Sequence, residues 1–73
     1  MATTATEWLQ AFCEEIEMPV PTEDDVEAIL RLAAVAAHSS ERIAAPVACW
    51  IAGASGKSLA EVKETAEAMA TGG

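Results

Sequence analysis

Three groups of residues have types and spacing that could do chemistry. The run Gly53-Ala54-Ser55-Gly56-Lys57-Ser58 resembles the end of a phosphate-binding loop, in which backbone N–H groups and a lysine hold an anion. The full pattern needs a glycine five residues before Gly56, and Ile51 stands there. It also needs a preceding strand, whereas the residues before Gly53 carry a helical pattern. A glycine helix end followed by a serine cap accounts for the run more simply. Lys57-Ser58-Leu59 could echo the Asp-Ser-Leu site at which acyl carriers bear phosphopantetheine, but a lysine occupies the aspartate position. The third group is His38, Glu41 and Arg42, a polar cluster beside an apolar segment that includes Pro46 and Trp50. His38 and Arg42 suit the negative end of a helix, and Glu41 could pair with either. The same cluster, with Pro46 and Trp50, is the candidate site for a protein partner or an anionic ligand.

No metal centre is expected. One histidine and two scattered cysteines do not supply the four closely paired ligands of a zinc site. Cys13 and Cys49 are too few for a disulfide framework and are expected to be reduced, structural thiols. No resident cofactor is implied, and no serine or cysteine stands at a recognisable spacing from His38 to form a nucleophile–base pair. A chain of 73 residues barely encloses a catalytic pocket, so an independent enzyme is not expected.

Those residues must be positioned by helices. Thr4 and Glu7 have capping-box spacing, with Thr6 an alternative N-cap, and Leu9, Phe12, Cys13 and Ile16 follow at helical intervals, which predicts a helix over about 6–18 ended by Pro19 and Pro21. Thr22 caps a second helix over 23–40, with Glu23, Asp24 and Asp25 in its first turn and a stripe of Val26, Ile29, Leu30, Ala33 and Ala37. Leu32 and Val35 fall off that stripe, so the second half is apolar nearly all round and the helix should be central. Pro46 fits the first turn of a third helix, 45–54, whose stripe is Val47, Trp50, Ile51 and Ala54. Gly53 or Gly56 should end it. Ser58 and Glu61 form another capping box and open a fourth helix over 59–70. Trp8 and Trp50 are expected to anchor the core. The fold class is therefore all-α: a compact bundle of four helices, one domain over 1–73, with 1–5 and 71–73 frayed.

Charge is unevenly placed. The first 28 residues hold eight of the twelve acids and no Lys or Arg, while the remainder holds four acids and four bases, so the front third carries the whole net charge of −8. Nucleic acid and anionic membrane surfaces would be repelled, and a basic protein surface attracted. No apolar run approaches the ~18 residues of a membrane span. The N-terminal residues lack the basic start and apolar stretch of a signal peptide, so a cytoplasmic setting is expected. Ile43 to Ala52 is an almost unbroken apolar segment of ten residues, and with the all-round apolar second half of the second helix it exceeds what three short neighbours easily cover. The over-apolar middle, Leu32 to Ile51, should dock on a protein partner, either a second copy in a homodimer or a larger protein.

Trp8-Leu9, Phe12-Cys13, Ile29-Leu30, Leu32-Ala33 and above all His38-x-x-Glu41-Arg42-x-Ala44-Ala45-Pro46 resemble a small uncharacterised bacterial domain family. That family occurs alone or fused to the guanylyltransferase that makes molybdopterin guanine dinucleotide, and the resemblance runs from Trp8 to about Ala70. Its members typically have proline where this chain has Ile43, and an aspartate-proline helix start where it has Lys57-Ser58. The resemblance implies association with molybdenum cofactor maturation or with a molybdoenzyme, and the residues themselves point to a non-catalytic accessory or interaction domain. The alternative is a cofactor carrier in which His38 and Arg42 hold an anionic group such as a pterin phosphate.

Overall fold

Short polar side chains set where three of the helices begin. In the computed structural model, which describes residues 4–71, the chain forms α1 (Ala5–Glu15), α2 (Glu23–Ser39), α3 (Ala44–Ser55) and α4 (Leu59–Ala70), with no strand among the described residues. The Thr4 hydroxyl accepts from the Glu7 N–H at 3.1 Å, and the Glu7 carboxylate accepts from the Thr4 N–H at 3.4 Å. Thr22 and Asp25 repeat the reciprocal pair at 3.1 and 3.3 Å. Each such cap contributes about 1 kcal/mol by satisfying donors that the helix leaves free. Ser58 makes only half of the expected box. Its hydroxyl accepts from the Glu61 N–H at 3.2 Å, and the Glu61 carboxylate makes no return bond, the Ser58 end being exposed to water.

One helix end departs from expectation, and another resolves the choice between Gly53 and Gly56. α1 stops at Glu15, short of Met18, before either proline is reached. Glu17 adopts a left-handed φ of 58°, the Met18 N–H bonds the Cys13 carbonyl at 2.9 Å, and the Glu17 N–H bonds the Glu14 carbonyl at 3.2 Å. This is the six-to-one, five-to-two pattern that closes a helix on its own carbonyls, here with a glutamate where glycine is usual. α3 runs on through Gly53 and ends at Gly56, whose φ of 75° only glycine adopts without strain. Pro46 is the third residue of α3, inside the first turn where its missing donor costs nothing. Of the ends expected to fray, 1–3 and 72–73 lie outside the described residues, whereas Thr4 is a cap, Ala5 is helical and Thr71 is a C-cap.

The helices form an all-α bundle with α2 at its centre, packed on both α3 and α4. Leu32 and Ala52 are the most buried residues, each 4% exposed. Around them Val26, Ile29 and Val35 from α2, Ala48 and Cys49 from α3, and Leu59 and Val62 from α4 are half-buried. Arg31 on α2 and Glu67 on α4 add an ion pair at 2.9 Å. α1 lies at the edge of the bundle, with Cys13 as its one half-buried residue among those described. No helix among the described residues is long and apolar enough to cross a membrane.

The faces presented to the core differ from the expected stripes. Leu30 is 63% exposed, while Leu32, which falls off the α2 stripe and is expected to open the docking region, is at the centre of the core. α3 is turned so that Ala44, Ala45, Ala48, Cys49 and Ala52 face inward and Val47, Trp50, Ile51 and Ala54 face solvent. Trp8 and Trp50 are surface residues, at 56% and 73% exposure, and not core anchors. Small side chains explain the choice: an alanine face lets two helices approach closely and make many dispersion contacts, which a face of tryptophan and isoleucine would prevent.

Candidate interaction surface

α3 has no charged residue along its length, and its two faces separate small from large side chains. Ile43, Val47, Trp50 and Ile51 recur at i, i+4, i+7 and i+8, so they form one continuous strip on the helix surface. All four are more than half exposed. Each Å² of apolar surface left in water forgoes about 25 cal/mol of stabilisation, which makes a contiguous strip of this kind a candidate interaction surface.

The five residues picked out by the sequence all lie on the exterior. His38 is exposed in the last turn of α2, where a cation complements the helix dipole. Glu41 and Arg42 are exposed in the connection to α3, and Pro46 and Trp50 are exposed one turn apart on α3. The pairing of Glu41 with Arg42 or His38 does not form, since the ion pair among the described residues is Arg31–Glu67. Main-chain bonds hold the connection instead: Ser40 N–H to Ala36 O at 3.2 Å, Ala44 N–H to Glu41 O at 2.9 Å, and Ala45 N–H to Arg42 O at 3.1 Å. Among the described residues the three polar side chains thus have no side-chain partner, and they stand exposed next to the start of the apolar strip. Ile43, Val47 and Ile51 complete that strip. Their helical spacing is visible in the sequence, but it also fits a core-facing stripe.

A cleft of about 300 Å³ opens elsewhere, between the start of α2, the second half of α3 and the start of α4. Ile29, Cys49, Ala52 and Leu59 line it, with Asp25 and Lys57 as its charged members. The Asp25 carboxylate accepts from Thr22 N–H, and the Cys49 thiol donates to the Ile29 carbonyl at 3.9 Å. Neither His38 nor Arg42 reaches this cleft. The glycine-serine run beside it performs capping. Ser55 Oγ donates to the Ala52 carbonyl at 2.7 Å and accepts from Lys57 N–H at 3.1 Å, Gly56 ends α3, and Ser58 caps α4. Among the described residues, no three His, Cys, Asp or Glu side chains are grouped to hold a metal ion.

No curated protein and no solved structure matches the chain. A family model does, over residues 1–72, and it describes a domain of unknown function, DUF6457. An all-helical chain whose match extends over nearly its entire length, the exposed α3 strip included, therefore belongs to the DUF6457 family.

Proposed function

We propose that this domain is a non-catalytic accessory module that docks through the outer face of α3 onto a larger protein. The observation that carries the reading is the inversion of α3, alanines inward and Ile43, Val47, Trp50 and Ile51 outward. Aromatic and aliphatic anchors surrounded by neutral positions are the usual composition of an interface centre. His38, Glu41 and Arg42 stand at one end of the strip as an unpaired polar rim, suited to setting the orientation of the partner.

Size argues for a larger partner over a second copy. A helix of 12 residues is about 18 Å long, and two convex helices laid together cover far less than the ~800 Å² per side of a stable interface. A concave surface on a larger protein would wrap more of it. The resemblance carried by His38-x-x-Glu41-Arg42-x-Ala44-Ala45-Pro46 makes the enzymes that build or use the molybdenum cofactor the first class to try.

Pull-down with a purified molybdenum cofactor guanylyltransferase and a molybdoenzyme as baits tests this, alongside light scattering of the domain alone. The wild-type domain is expected to be retained and Val47→Asp lost, with helix content unchanged because Val47 is exposed. A monomer that neither bait retains overturns the reading. A dimer dissolved by Val47→Asp would assign the strip to a second copy instead.

A further inference from the structure

We infer that α1 is a second, independent docking helix, whose occupant is an apolar furrow bordered by lysine and arginine on another protein. Leu9, Phe12, Cys13 and Ile16 stand at i, i+3, i+4 and i+7, the anchor spacing of a helix that lies in a groove. Three of these anchors are exposed: Phe12 at 46%, with Leu9 and Ile16 similar. Trp8 stacks on Phe12 with ring centroids 5.1 Å apart and planes 22° from parallel, which gives the strip a preassembled aromatic ridge. Beyond the helix, exposed Met18 and Val20 extend the apolar surface.

α1 is also built to be helical without a neighbour. Isolated helices below ~12 residues are marginal in water, and α1 has 11. The Thr4–Glu7 box closes its start, and the Glu17 and Met18 N–H groups close its end. A helix held in its bound shape by its own ends loses less entropy on docking.

The charges around the strip define the occupant. Glu15 borders it on the Trp8 side, Glu7 and Glu14 stand behind it, and Glu17 lies at its end, with no Lys or Arg anywhere in the first 28 residues. Anionic lipid and nucleic acid are repelled by such a field. α1 against α1 of a second copy would set acid against acid, and α3 of a second copy offers only Arg42 and Lys57 beyond its ends. A basic border meets Glu15 and Glu17, the carboxylates that flank the strip, and it suits a surface different from the uncharged one that α3 would meet.

The test uses the whole chain and a synthetic leucine–lysine amphipathic peptide as a mimic of a basic-bordered apolar surface, with its leucine–glutamate counterpart as control. In a Trp50→Phe background, Trp8 fluorescence reports on α1 alone. Emission is expected to move to the blue with the lysine peptide and not with the glutamate peptide. Phe12→Asp should weaken binding about tenfold or more, as loss of a central anchor does. Val47→Asp should leave binding intact, which separates this strip from the one on α3. Circular dichroism checks that Phe12→Asp keeps its helices, and Glu14→Lys with Glu15→Lys supplies a second variant in which the apolar anchors are untouched and affinity still falls. Absence of binding, equal binding of the glutamate peptide, or binding indifferent to Phe12→Asp overturns the inference. So does a dimer that Phe12→Asp dissolves, which would give the strip to a second copy.

Discussion

Arg31 on α2 reaches Glu67 on α4 with Nε 2.9 Å from Oε2, across 36 positions of sequence. Both side chains are exposed, so water and salt screen the pair and its contribution is about 0.5 kcal/mol. Glu67→Gln should therefore lower the melting temperature by roughly 2–4 °C at low salt. The difference from wild type should shrink as ionic strength rises, since screening already removes most of an exposed pair's attraction. Thermal melts of the two proteins across a salt series check this.

Leu32 and Leu30 predict opposite costs for the same substitution. Leu32→Ala opens a hole at the centre of α2 and should cost about 3 kcal/mol, enough to unfold much of so small a domain. Leu30→Ala removes a side chain that is already in water, and should change stability by less than about 0.5 kcal/mol. Urea titrations of the pair read the register of α2 directly. The reverse order would put the outer face of α2 in the core.

Gly53 and Gly56 should respond to alanine with opposite signs. A methyl group at either meets nothing within 4 Å, so space does not decide. Gly53 lies inside α3, where alanine is favoured by about 0.5–1 kcal/mol over glycine. Gly56 holds a φ of 75°, where a side chain costs about 1 kcal/mol or more. Gly53→Ala should raise the denaturation midpoint and Gly56→Ala should lower it.

Ala52→Leu tests the alanine contact between α2 and α3. Ala52 is almost fully buried, so a larger side chain must push the helices apart, at about 1–3 kcal/mol. Ala54→Leu, on the exposed face of the same helix, should be neutral. Chemical denaturation of both variants distinguishes this seam from a loosely packed one.

The helix limits were legible because local chemistry sets them. Thr4, Thr22 and Ser58 each cap a helix through partners no more than a turn away, Gly56 ends one by its left-handed φ, and Pro46 admits only a first-turn position. The end of α1 was not legible, since nothing in glutamate favours the left-handed conformation that Glu17 adopts. The facing of α3 was hidden for a different reason. Hydrophobic periodicity is dominated by large side chains, so Val47, Trp50 and Ile51 outweigh Ala45, Ala48 and Ala52 in any pattern, although the alanines make the contact. Of the candidate site, the position of His38, Glu41 and Arg42 around a turn follows from the helix limits. Their lack of mutual pairing depends on rotamers that sequence spacing does not determine.

The alanine seam has a consequence for how long the folded chain persists. Methyl groups have no rotamers to freeze, so α2 and α3 join at little side-chain entropy, yet they hide little area in doing so. A domain assembled this way sits near its folding midpoint more readily than one with a leucine core. Its occupied and unoccupied forms then differ in lifetime as well as in contacts, because a ligand of the native state alone raises stability by RT ln(1 + [L]/Kd). Copies without a partner would spend more time open to proteases, so under the proposed docking of α3 cellular abundance of this chain should follow that of its partner.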